Sequence, residues 1–171
     1  MQAPKLSPVE RLILANQYKI LVAISDQNVS TYQNNAEILR RGYTGLYHTI
    51  FENISEEVPE QAFTETMDIF DMFRGIEDSI GALNPEQQAQ LNQTRLRFEG
   101  FDGNNDVHYG IANFLIKKQG FYSEHTNSKM NSHTSSSLGR YRRQLAIFNH
   151  VTQTAAVNDL TFEQLQQIAA V

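Results

Sequence analysis

The sequence predicts an all-α fold: a single helical domain over residues 1–171, with six or seven helices and little or no strand. Three observations carry this. Apolar residues recur at helical spacing along most of the chain. Helix-start signals such as Ser7-Pro8-Val9-Glu10 and Thr161-x-x-Gln164 open several of those stretches. Only one short stretch, 95–98, alternates as a strand would.

The first helix is expected over 8–24. Ser7 suits the cap, Pro8 the first helical position, and Glu10 completes a capping box. Val9, Leu12, Ile13, Ile20 and Leu21 form its apolar stripe. A second helix is expected over 30–41, with Ser30 as cap and Gly42 as stop. An aromatic segment, Tyr43 to Phe51, follows. The longest helix spans 59–83, where Ala62, Thr66, Ile69, Phe73, Ile76, Ile80 and Leu83 alternate by four and three. Phe63, Met67 and Phe70 add a second apolar strip. A surface that wide suits a central helix or one shared with another subunit, so self-association is expected. Asn84-Pro85 opens a short helical turn.

A further helix begins after 104–106 and ends before Gly120, with Val107, Ile111, Phe114 and Leu115 on one face. The stretch 120–137 then breaks the pattern: ten of its eighteen residues are Ser, Thr or Asn, the composition of a long loop. Helix resumes near Leu138 with Tyr141, Leu145 and Phe148. Thr161-x-x-Gln164 opens the last one, with Phe162, Leu165 and Ile168 as its stripe.

Composition excludes several functions. With no cysteine there is no disulfide scaffold, thiol nucleophile, thiolate zinc site or iron–sulfur cluster. No apolar run approaches the roughly 20 residues that span a bilayer, and no secretory signal opens the chain. The default location is therefore cytoplasmic. A net charge of −5 argues against nucleic acid as a partner. The charge is uneven: residues 52–78 hold nine acids against Arg74, and 117–143 hold six bases against Glu124. Such blocks either dock on one another, within the fold or between subunits, or form two solvated faces.

No catalytic signature is present. Gly-x-Ser-x-Gly, Gly-x-Gly-x-x-Gly and the Walker loop are all missing. Asp102-Gly103-Asn104-Asn105-Asp106 begins like a calcium loop. It has Val107 where an EF-hand needs glycine and Asn113 where it needs glutamate, so it reads better as a turn with Asn104 or Asn105 capping the next helix. Asp102, Asp106, His108 and His133 could converge on a divalent metal and an activated water. Asn16 and Gln17 interrupt the first apolar stripe, either as a satisfied buried amide network or as the lining of a polar pocket. Arg140-Tyr141-Arg142-Arg143 mixes cations with an aromatic, suiting single-stranded nucleic acid or an anionic ligand, or else a helix with Tyr141 turned inward and the arginines in water.

Six strings occur in an order and spacing that resemble the YfbU family of small bacterial proteins. They are Arg11-Leu-Ile-Leu-Ala-Asn-Gln-Tyr18, Arg41-Gly-Tyr43, Phe98-Glu-Gly-Phe-Asp-Gly-Asn-Asn105, Phe114-Leu-Ile116, Asn131-Ser-His133 and Tyr141-Arg-Arg143. The resemblance covers about 7–168 and implies an all-helical domain with no established activity. Some members join this domain to a helix-turn-helix segment, which implies a ligand-binding role; this chain is expected to have no spare length for that segment. Asp106 stands where the family often has Glu, and Phe148 where it often has Trp.

The expectation is a non-catalytic small-ligand-binding or regulatory module, without a cofactor, that forms a homo-oligomer and meets a small-molecule or protein partner. Its candidate ligand residues are Asn16, Gln17, Phe101, Asp102, Asn104, Asn131, His133, Arg140 and Tyr141. The alternatives are a metal-dependent hydrolase using Asp102, Asp106, His108 and His133, and a structural homo-oligomeric subunit.

Overall fold

A computed structural model of the chain describes residues 4–126, 128, 130–132, 136–153 and 159–171. Among these residues there are eight α-helices and no strand. They are α1 (Pro8–Ile24), α2 (Val29–Arg41), α3 (Tyr47–Phe51), α4 (Glu60–Ala82), α5 (Pro85–Gln90), α6 (Val107–Lys117), α7 (Ser136–Thr152) and α8 (Phe162–Ala169). The helix beyond the seven expected is α3, five residues in the aromatic segment, too short for periodicity to register. The chain divides into two compact units, Met1–Glu57 and Val58–Val171.

In the first unit α1 and α2 pack as a hairpin. The capping box at α1 forms as expected: Glu10 N–H donates to Ser7 Oγ and Ser7 N–H to Glu10 Oε2. The start of α2 differs. Its cap is Asn28 in the left-handed conformation, with no side-chain cap bond, and Ser30 already lies inside the helix. Gly42 ends α2 at φ +71°, and a β-carbon there would stand 2.6 Å from Arg11 Nη1. That guanidinium also donates to the Leu39 carbonyl at 3.4 Å.

The buried face of α1 is not the expected one. Ala15 is buried with Leu39 and Tyr47, and Leu14 and Tyr18 pack beside them. Val9, Leu12, Ile13, Ile20 and Leu21 face outward instead. One hairpin has a single inner surface, and the small, tight Ala15 face occupies it.

In the second unit α4 is the central element. Ile69, Phe70, Met72, Phe73 and Ile76 are fully buried, and α6 and α7 pack on α4 while α8 packs on α7. The wide apolar surface that suggested subunit contact is thus covered within the unit, with Phe63 its partly exposed edge. Ser79 Oγ donates to the Gly75 carbonyl and accepts from Leu160 N–H at 3.0 Å, tying the lead-in to α8 onto α4. Gln144 Nε2 donates to the carbonyls of Arg95 (2.8 Å) and Ile168 (3.3 Å). Residues 95–98 do alternate, with Leu96 and Phe98 inward and Arg97 outward, but among the described residues they pair with no strand.

The acidic and basic blocks meet inside this unit. Arg142 grips Glu65 through two bonds of 2.7 and 2.8 Å. The lone base of the acidic block, Arg74, pairs at 2.6 Å with the lone acid of the basic block, Glu124.

Candidate functional site

The turn before α6 is built around Asp102. Its Oδ1 accepts from Asn104 N–H (3.0 Å), its Oδ2 from Asn105 Nδ2 (2.7 Å), and its carbonyl from Asp106 N–H (2.9 Å). The helix cap is Asp106, not Asn104 or Asn105, and its carboxylate turns back to accept from Asp102 N–H at 3.0 Å. Gly103 N–H donates to Asn131 Oδ1 at 3.1 Å, and a β-carbon at Gly103 would stand 2.5 Å from Asn131 Nδ2. Gly103→Ala is therefore expected to lower stability by about 1–3 kcal/mol, the usual range for overpacking. Denaturant unfolding checks this, and an unchanged midpoint would contradict the close approach.

Loop 130–132 lies along this turn. Phe101 N–H donates to the Met130 carbonyl and Ser132 N–H to the Phe101 carbonyl, both at 2.9 Å, in one parallel bridge. The start of α7 closes the same cluster. Tyr141 is fully buried; its hydroxyl donates to the Gly100 carbonyl (3.0 Å) and accepts from Glu99 N–H (2.8 Å). Burial pushes this phenol up to about 12. Arg140 pairs with Glu99 at 2.8 Å.

Phe101, Asp102, Asn131, Arg140 and Tyr141 are thus brought together, with Asn104 exposed at the rim. Asn16 and Gln17 are exposed on α1 of the first unit, so no buried amide network forms there. His133 lies outside the described residues.

His108 does not turn to the aspartates. Its Nε2 bonds Glu65 at 2.8 Å, and its Nδ1 is buried with no partner. The Arg142 guanidinium, ahead of His108, holds the Glu65 carboxyl below its ordinary range. Among the described residues no group of three or more acidic or imidazole side chains is arranged to hold a metal ion.

Sequence reasoning missed a different feature. A cleft of about 330 Å³ opens in the second unit beside the 93–98 segment. Ile80, Leu96 and Phe98 give it apolar walls, Glu77, Gln93, Arg97 and Ser128 supply polar groups, and His125 lines it. The His125 ring is buried against Phe70 and Phe98, both at 5.3 Å between centroids. Its Nε2 is buried with no hydrogen-bond partner. Burial lowers its affinity for a proton, which favours the neutral ring. Desolvation, followed by the nearby Glu124 and Asp78, raises the Glu77 carboxyl above its ordinary value. Arg97 donates to Gln93 Oε1 at 3.2 Å along one side. An apolar floor with a few convergent polar groups is the usual build of a small-molecule site. No local pattern announces it, because its walls come from α4, the 93–98 segment and the 3-10 turn Ser123–His125.

The comparison with known proteins spans nearly the whole chain. A family model described as the YfbU domain matches residues 4–171. The chain belongs to the YfbU family. Within this family it is 34% identical over 149 residues to UPF0304 protein MJECS11 of Methanocaldococcus jannaschii, covering 84% of this chain and 87% of that protein. Of the strings that carried the YfbU resemblance, Phe98–Asn105 and Tyr141–Arg143 fall on the turn and helix start described above. Among the described residues no helix is long and apolar enough to cross a membrane.

Proposed function

We propose that this YfbU protein is a non-catalytic module that binds a small molecule in the cleft lined by Glu77, Gln93, Arg97, Phe98, His125 and Ser128. The supporting observation is the build of that cleft, where apolar walls of Ile80, Leu96 and Phe98 stand beside Glu77, Gln93, Arg97, Ser128 and the buried His125 ring. The Nε2 of His125 is buried without a partner, which costs about 1–3 kcal/mol, and a ligand whose binding turns the ring enough to open that nitrogen to the cleft recovers part of that cost. The ligand class is a compact molecule with an apolar or flat body that lies on Phe98. It carries one polar group for His125 and a donor or cationic group for Glu77.

In this account Phe101, Asp102, Asn131, Arg140 and Tyr141 form the support rather than the contact surface. Their cluster fixes the 98–101 segment, and with it Phe98 in the cleft floor. A hydrolase reading has less to work with. The carboxylates of Asp102 and Asp106 serve the turn, and His108 is engaged by Glu65 with its other nitrogen buried. A general base must reach its substrate's proton.

The test is a thermal-shift screen of a broad metabolite library. A ligand at a hundredfold excess over its Kd stabilises by about 2.7 kcal/mol. At least one compound should raise the melting temperature of the native chain by several degrees, and Gln93→Trp, which fills the cleft, should abolish that shift. A library-wide absence of shifts, or hits indifferent to Gln93→Trp, would overturn the proposal.

A further inference from the structure

The outward face of α1 is a continuous stripe: Val9, Leu12, Ile13, Asn16, Gln17, Ile20, Leu21 and Ile24, all exposed. Their spacing alternates by three, one, three, one, so all eight share one side of the helix. None is charged. The six aliphatic side chains are between 36% and 74% exposed. Contiguous apolar patches of several hundred Å² on a soluble chain mark an interaction surface.

The order of residues along this stripe says what covers it. Reflected about the Asn16–Gln17 peptide bond, Val9 exchanges with Ile24, Leu12 with Leu21, Ile13 with Ile20, and Asn16 with Gln17. A two-fold axis perpendicular to a helix produces that same exchange in an antiparallel pair. The stripe is therefore complementary to itself: aliphatic meets aliphatic along both arms, and amide meets amide at the centre. Self-complementarity of one patch is the defining property of an isologous contact. We infer that α1 is a homodimer interface, in which two copies pair antiparallel about a two-fold axis at Asn16–Gln17.

The area agrees with this. Covering the six aliphatic side chains buries on the order of 500 Å² per copy, about 1,000 Å² in the pair, where specific interfaces begin. The central amides explain why an apolar seam carries two polar residues. An amide pair within an apolar helix–helix seam fixes register, because any slip leaves it facing hydrocarbon. This inference is independent of the cleft, since every residue it uses lies on α1.

The test uses the full chain in solution. Light scattering after size exclusion should give twice the chain mass of 19.5 kDa. Ile13→Glu combined with Ile20→Glu should halve that mass with an unchanged helical circular-dichroism spectrum, because both side chains are exposed in the single chain. A native mass of 19.5 kDa at high concentration would overturn the inference, whatever else covers the stripe. A dimer that survives the double substitution would also overturn it.

Orientation is tested in the same chain, which has no cysteine of its own. Val9→Cys combined with Ile24→Cys should give an oxidised covalent dimer. The two positions are about 22 Å apart along one helix, too far to close within a chain. Val9→Cys alone should not cross-link, and covalent dimer from it would indicate parallel pairing and contradict the two-fold axis.

Discussion

Phe70→Ala is expected to destabilise the second unit by about 3–5 kcal/mol, the range for emptying a buried aromatic site. Phe70 is fully buried at the middle of α4, and four rings lean on it: Phe98 at 5.0 Å, Phe101 at 6.3 Å, Tyr122 at 4.8 Å and His125 at 5.3 Å between centroids. Such pairs add about 0.5–1.5 kcal/mol beyond area burial, and a cavity among rigid rings collapses poorly. The comparison is Phe63→Ala on the same helix, whose ring is the partly exposed edge of the strip. Its loss should stay near 1 kcal/mol. Denaturant unfolding followed by circular dichroism separates the two, and similar losses would contradict the central place given to Phe70. Because Phe98 and His125 rest on the same ring and line the cleft, Phe70→Ala should also weaken any compound found in the screen.

Tyr141→Phe is expected to cost about 2–3 kcal/mol, although the ring and its packing are kept. The lost hydroxyl serves two backbone groups forty-odd residues away, the Glu99 N–H and the Gly100 carbonyl. Removing it strands both, and each buried orphan costs about 1–3 kcal/mol, moderated by the partial exposure of Glu99. The check is the unfolding midpoint, read with amide hydrogen exchange at Glu99 and Gly100. The Glu99 amide should lose its protection. A neutral Tyr141→Phe would mean that the hydroxyl is incidental to holding α7 on the 98–101 segment.

Local chemistry made much of the helix pattern legible. Ser7 with Glu10 and Thr161 with Gln164 are caps that need no tertiary information, and both form. Gly42 stops α2 because only the backbone conformation is at stake. Ser30 misled because Asn28, two residues earlier, takes the left-handed conformation and starts the helix first.

Periodicity shows that a helix has an apolar face but not what lies against it. That is why the α1 stripe looked like core although it is exposed, and why the α4 surface fitted a central helix and a shared one equally well until α6 and α7 were seen packed on it. Asn16 looked like a buried amide for the same reason. At the candidate site, the turn at Asp102 and the loop at Asn131, distant in sequence and both named among the candidate ligand residues, are in contact. The His125 cleft was invisible because its residues have no common spacing: they are neighbours only after α4 has gathered the 93–98 segment and the Ser123–His125 turn.

The most direct test of the account is amide NMR of the native chain titrated with the strongest compound from the thermal-shift screen. The shifted resonances should concentrate at the amides of Glu77, Gln93, Arg97, Phe98, His125 and Ser128, with His125 among the largest changes. Shifts centred instead on Asn104 and the α6 start, with His125 unmoved, would contradict it.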